Sequence, residues 1–187
     1  MSVGNFDTCF NFTIGEEGKY SAARTDPGNW SSGEVGVGEF VGSCWGISAP
    51  TLINWLGPVM AKAVTADYMK NLSISIAKTI YQRDYWVAVC GDQLPAGLDL
   101  AVWDFGVNAG VGRSAKMLQE LLGVDADGNI GPVTLDAVKK ADTKNLITRL
   151  IEKHKTFYEN DPLFSIDGNG WINRQNALLA SSMTMAS

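Results

Sequence analysis

The stretch LPAGLDLAVWDFGVNAG, residues 94–110, is the strongest constraint on what this chain can fold into. At helical spacing its apolar residues leave almost no solvent face, so as a helix it must be wrapped by other elements. A buried central helix is predicted here, inside a mainly helical body. Its polar exceptions Asp104 and Asn108 fall at i and i+4, on one stripe. Such a stripe either lines a cleft or enters an internal hydrogen-bond network, and the sequence weighs the two equally.

The remaining chain supplies the wrapping. It has 187 residues, enough for one medium domain or a main domain with a small appended one. Phe6, Cys9, Phe10 and Ile14 recur at helical spacing and predict a first helix over 5–17, closed by Gly18. On that helix Glu17 points inward and Glu16 lies nearer the edge. Residues 20–48 are rich in Gly, Ser and Asn with short β-type runs such as EVGVGEFVG, which predicts an irregular β-hairpin region. Helices are predicted over 48–56, 65–71 and 73–87, the last capped by Ser73. Residues 111–141 read as two short helices around an Asp127-Gly128 turn, with Pro132 at a first helical position. The DADGN run has the composition of a calcium loop but neither its spacing nor its terminal Glu. A long amphipathic helix over 142–160 and a last helix starting near GNGW follow, with a frayed MTMAS tail.

Charge and composition exclude several functions. The net charge of −5 argues against a nucleic-acid footprint and against simple attraction to an acidic envelope. Cys9, Cys44 and Cys90 include no close pair, so no disulfide framework is implied, and reduced thiols of a cytoplasmic kind are expected. The N-terminus lacks the basic and apolar regions of a signal peptide, and no segment is long and apolar enough to span a membrane. The single histidine, His154, lies in a charged helical stretch, away from any cluster of zinc ligands or a nucleophile. Carboxylate chemistry is what remains for an enzyme. Six Trp are generous for this length, and Trp lines sugar clefts as well as cores.

Several ordered motifs carry a family resemblance. GEEGKYS followed by DPGNWSSGEVGVGEFVGSCWGIS resembles the start of the glycosyl hydrolase family 108 muramidases of phage endolysins and bacterial lysozyme-like proteins. That family has a Glu-Gly-Gly-Tyr signature, an Asp-Pro-Gly turn and a Gly-Ile-Ser/Thr element. The signature stands here as Glu17-Gly18-Lys19-Tyr20, with Lys19 in place of the second glycine. A cation beside Glu17 would oppose a raised acid pKa. GVNAGVGRSAKMLQELLGVDADGNIGPVTLDAV resembles the helical peptidoglycan-binding module that accompanies the family, and GNGWINR its closing Gly-Trp-x-x-Arg element. The resemblance runs over about 5–180. It implies an α+β lysozyme-like fold, mainly α, with the small β-hairpin region near the N-terminus. It also implies a catalytic region over 1–110 and a helical module over 111–187 packed on it as one compact unit. Gln119, Asp127 and Gly128 match the module's pattern and read as fold-forming.

The resemblance also assigns roles. Cleaving a glycosidic bond needs a proton on the leaving oxygen, and a carboxylic acid supplies it when burial raises its pKa. Glu17 is implied as that acid, in agreement with its inward placement. Asp26 is the best candidate for the second group; the alternative is a turn residue before Pro27. Its spacing from Glu17 resembles that of phage-type lysozymes, where a hydroxyl helps hold the water, and Ser43 stands at the comparable position. Tyr20, Trp30 and Trp45 either stack on sugar rings or pack in the core, and Asp104 and Asn108 are candidates for the cleft floor. The expected activity is hydrolysis of the β-1,4 bond between N-acetylmuramic acid and N-acetylglucosamine. A lytic transglycosylase and a non-catalytic peptidoglycan-binding protein are the alternatives. No cofactor or metal is expected, and the partner is bacterial peptidoglycan, with no nucleic acid and no stable membrane insertion. A monomer is expected, made in the cytoplasm and acting in the cell wall as an endolysin, a virion-associated lysozyme or a secreted protein.

Overall fold

The computed structural model describes residues 4–15 and 20–187, the side chains of Ile166 and Asp167 excepted. The helices, in chain order, are α1 (Phe6–Ile14), α2 (Ala49–Met60), α3 (Ala66–Lys70), α4 (Ile74–Tyr81), α5 (Leu98–Ala109), α6 (Val111–Leu122), α7 (Pro132–Lys140), α8 (Thr143–Glu159) and α9 (Phe164–Met185). The chain is thus mainly α. It divides into two compact units, residues 10–81 and residues 1–9 with 82–187.

In the second of these units α5 is the centre. Every residue from Leu98 to Gly106 is buried, as its lack of a solvent face requires. α6, α8 and α9 pack against it. The Ser114 hydroxyl of α6 donates to the Val102 carbonyl at 2.6 Å, so an α5–α6 contact is polar as well as apolar. The helix begins at Leu98, four residues later than its apolar run. Asp99, fully buried, accepts from the Gly97 and Leu100 amides and from Asn5 Nδ2. That carboxylate satisfies amides that a helix N-terminus leaves open. Trp86, Trp103 and Phe6 meet edge to face, with centroids 5.6–6.1 Å apart. Such aromatic pairs add about 0.5–1.5 kcal/mol each beyond their burial. The helix predicted over 73–87 changes pitch: α4 ends at Tyr81 and a π-turn carries Gln82–Trp86, with Trp86 1% exposed at its end.

The Gln119 side chain organises the α6–α7 connection. Its amide donates to Asp127 Oδ1, the Asn129 carbonyl and Thr134 Oγ1, and its carbonyl accepts from the Gly128 amide. Asp127 also accepts from the Asn129 amide, so its carboxylate is engaged in the turn. Gln119, Asp127 and Gly128 are fold-forming, as their place in the pattern suggests. α9 starts at Phe164, before the GNGW run, and continues to Met185, so the tail is helical where fraying was expected.

In the unit 10–81, α1 stops at Ile14 and Gly15 takes φ 56. The helix is therefore shorter than its predicted 5–17 span, and the C′ glycine is Gly15. Glu16, Glu17, Gly18 and Lys19 lie outside the described residues. The predicted hairpin region folds back on itself through isolated antiparallel bridges, Ser21 with Ser43, Trp30 with Phe40 and Cys44 with Ile47. Among the described residues it forms no strand. Its glycines at 33, 36, 38 and 42 all have positive φ, which breaks the extended run a ladder needs. α2 kinks at Gly57-Pro58, where proline removes a helical hydrogen bond.

Candidate functional site

The segment 20–48 gathers most of the predicted site residues, and one buried asparagine organises it. Asn29 is fully buried. Its Nδ2 donates to the Ala23 carbonyl at 2.9 Å. Its backbone carbonyl accepts from both Val41 and Gly42 amides at 3.0 Å. Asn29 thus ties the Asp-Pro-Gly turn to residues 41–42. The sequence reading did not single it out; the signal was a polar residue closing that turn.

Asp26 caps the short 3₁₀ turn Pro27–Asn29, accepting from the Gly28 amide at 2.8 Å through Oδ1. Its side chain is exposed. The turn role is therefore present, and the outward-facing carboxylate is open to solvent. Ser43 exchanges both backbone hydrogen bonds with Ser21, at 2.8 and 2.9 Å, and is half-buried. Next to it Gly42 (φ 82) lies so close under the Tyr20 ring that a Cβ there would collide with it. The Tyr20 hydroxyl donates to the Val41 carbonyl at 3.1 Å, and Lys70 Nζ lies 5.3 Å from the ring centroid. Tyr20 and Ser43 are thus brought side by side on the stretch that Asn29 anchors.

The two tryptophans are fixed by their indole N–H groups. Trp30 Nε1 donates to the Arg24 carbonyl at 3.0 Å. Its ring lies 5.2 Å from Phe40, on which the Arg24 guanidinium also rests, 4.4 Å from the centroid. Trp45 Nε1 donates to the Leu72 carbonyl at 2.8 Å. Both rings are half-buried, packed on one part and open on another.

Trp45 has φ 54 and Gly46 φ 70, between the bridged residues Cys44 and Ile47. Two central residues with positive φ make a tight hairpin turn of the I′ kind. A bulky residue in that region is strained, and the Leu72 contact helps hold it. The Gly-Ile-Ser element thereby acquires a physical reading. Gly46 turns the chain against the Tyr81 hydroxyl, Ile47 is 2% exposed in the core, and Ser48 caps α2 by accepting from the Thr51 amide.

Asp104 and Asn108 belong to the unit built on α5. Asp104 is fully buried and paired with Arg174 Nη2 at 2.5 Å. Asn108, exposed, donates back to the Asp104 carbonyl at 2.7 Å. Arg174 is the last residue of the Gly-Trp-x-x-Arg element, and an acid in mid-helix on an otherwise apolar face was the signal for such a partner. Around the pair, Tyr158 is pushed up to about 12 by burial and then by Asp104, with Arg174 opposing. Burial, followed by Asp99 and Asp104, raises the Cys9 thiol well beyond its ordinary range, so it stays protonated and inert.

His154 is a core residue. It is fully buried and stacks on Phe105 with centroids 3.9 Å apart and planes 4° apart. Burial holds its pKa down to about 3, with the Gln175 side chain opposing. Among the described residues no group of three or more His, Cys, Asp or Glu could hold a metal ion. Nor is any helix among them long and apolar enough to cross a membrane.

Comparison with known proteins adds to this geometry. A family model described as Glycosyl hydrolase 108 matches residues 10–110, and one described as Predicted Peptidoglycan domain matches residues 113–176. The first match covers all of the unit 10–81 and the α5 part of the other. The solved structure of Brucella abortus SagA is 32% identical, with a TM-score of 0.80, over 99% of this chain and 97% of that one. No curated protein matches the chain.

Proposed function

The chain belongs to the glycosyl hydrolase 108 family, and we propose on that premise that it is a lysozyme-type N-acetylmuramidase. That it is a peptidoglycan hydrolase rests on the glycosidase match and the peptidoglycan-domain match, in that order along the chain. The proposed bond is the β-1,4 linkage between N-acetylmuramic acid and N-acetylglucosamine.

In this reading Glu17 is the general acid that protonates the leaving oxygen. Asp26 is the second carboxylate, and Ser43 is the hydroxyl that helps it hold water. What supports the pairing is local construction: the Asp26 turn is tied by Asn29 to the stretch that carries Ser43. Tyr20, Trp30 and Trp45 offer half-open ring faces to sugar. Asp104 and Asn108 are assigned to holding α5, through Arg174 and the Asp104 carbonyl. The catalytic region is taken as 1–110 and the module as 111–187. The protein acts on the cell wall as a monomer, in the setting of a phage or prophage endolysin.

The observation that carries the proposal is the ordered pair of matches over most of the chain. Purified sacculi test it. Wild-type protein should clear their turbidity and Glu17→Gln, with an unchanged circular dichroism spectrum, should lose at least about two powers of ten in rate. Clearing by the variant within threefold of wild type would remove Glu17 from the chemistry. A wild type that binds sacculi without clearing them would make the protein a binder.

A further inference from the structure

Helices α6 and α8 face each other across a groove of about 520 Å³, within the roughly 300–1,000 Å³ usual for small-ligand sites. Arg113, Lys116, Met117 and Glu120 line it from α6, and Lys153 and Phe157 from α8. The spacings i, i+3, i+4 and i+7 on α6 put those four on one face. The groove is apolar at Met117 and Phe157, and charged along its sides, where Arg113, Lys116 and Lys153 outnumber Glu120 and Asp161.

The charges do not cancel. Glu120 is committed to Lys153 at 2.6 Å. Asp161, the other acid of the lining, accepts from the Leu163 amide at 2.9 Å. With three cations against two carboxylates the lining keeps one surplus positive charge, on the side of Arg113 and Lys116, in a chain whose net charge is −5. Arg113 is pre-positioned. One N–H goes to the Ala109 carbonyl at 3.1 Å, and the guanidinium lies 4.8 Å from the Phe157 centroid. A guanidinium has five donors, so most remain for a carboxylate. The Lys116 stem passes over the Gly128 turn, where a Cβ would sit 3.2 Å from its Cε.

We infer that this groove binds the peptide stem of peptidoglycan, with a free stem carboxylate held between Arg113 and Lys116 and the apolar side chains on Met117 and Phe157. The inference rests on the peptidoglycan-hydrolase reading above. Charge selects the stem over the glycan: N-acetylglucosamine is neutral and the lactyl carboxyl of a stem-bearing N-acetylmuramic acid is consumed in its amide to the peptide, whereas the stem carries free carboxylates. The ring supports the same choice. Phe157 is overlaid by Arg113 and meets Phe105 and Tyr158 edge to face, which leaves it poorly placed to stack on a sugar.

Calorimetric titration of the full chain with a synthetic stem tetrapeptide tests this, alongside the same peptide with its carboxylates esterified. The free peptide should bind. Esterification, and separately Arg113→Gln with Lys116→Gln, should each weaken binding by at least about tenfold, the scale of losing a charge-assisted hydrogen bond. Lys139→Gln, at an exposed lysine paired with Asp136, should change nothing. No binding, equal binding of the ester, or a double variant within twofold of wild type would overturn the inference. Both substituted residues are exposed, and an unchanged circular dichroism melt verifies folding. Sacculus clearing in parallel separates the two ideas. Clearing without peptide binding refutes the groove alone, and peptide binding without clearing refutes the hydrolase reading alone.

Discussion

Arg174 reaches back seventy residues along the chain to place Nη2 2.5 Å from Asp104 Oδ1. Asp104 is fully buried while the Arg174 side chain is 34% exposed. The pair fastens α9 to the central helix, and of the two alternatives open for Asp104 the geometry displays the internal contact.

Breaking that pair should cost most when the buried partner is the one left behind, because its charge then loses its counter-charge inside the protein. Arg174→Met takes the cation from the fully buried Asp104 carboxylate and should destabilise by about 3 kcal/mol in urea unfolding, and Asp104→Asn by less, since the Arg174 side chain left behind is 34% exposed. A stable Asp104→Asn variant that has lost sacculus clearing would instead place Asp104 at the substrate.

His154 makes stability depend on pH with a definite sign. Its folded pKa is lowered to about 3 from 6.5, so between these values the unfolded chain binds the extra proton. Its contribution is full above pH 6.5 and is lost as pH falls toward 3, by up to about 1.4 kcal/mol per pH unit. Denaturant midpoints between pH 7 and 4 should fall more steeply for wild type than for His154→Leu. Parallel curves would show that the imidazole becomes charged without unfolding.

Much of this architecture was legible because its causes are local. The run around Leu98–Gly106 had no face to give to water, and it is buried throughout. The Gln119–Asp127–Gly128 lock follows from a turn within a few residues of its helix. What was not legible is non-local or depends on backbone detail. Arg174 lies too far along the chain for periodicity to pair it with Asp104. The 20–48 region has β-type residues, but its glycines take positive φ and leave bridges without strands. The candidate site was legible as residue types, and its organiser, Asn29, was not, because it acts through two distant amides and a carbonyl.

At the Trp45-Gly46 turn, Gly46→Ala should cost about 1–2 kcal/mol, since its φ of 70 disfavours any Cβ. The Tyr81 hydroxyl crowds the same space. A double-mutant cycle with Tyr81→Phe should therefore show coupling of at least about 0.5 kcal/mol. Additive changes would mean that the hydroxyl moves aside freely.

Asp26 can be tested without disturbing its turn. Asn keeps an oxygen that accepts from the Gly28 amide but removes the charge. Asp26→Asn should hold its melting temperature and lose about two powers of ten in clearing rate. Retained activity would leave Asp26 as a capping residue.

The central claim, hydrolysis at the muramic acid linkage, is tested most directly by the ends of the fragments released from purified sacculi. After borohydride reduction and mass spectrometry, the account predicts fragments ending in reduced N-acetylmuramic acid, formed by wild type and absent with Glu17→Gln. Fragments ending in 1,6-anhydro-muramic acid, or in reduced N-acetylglucosamine, would contradict it.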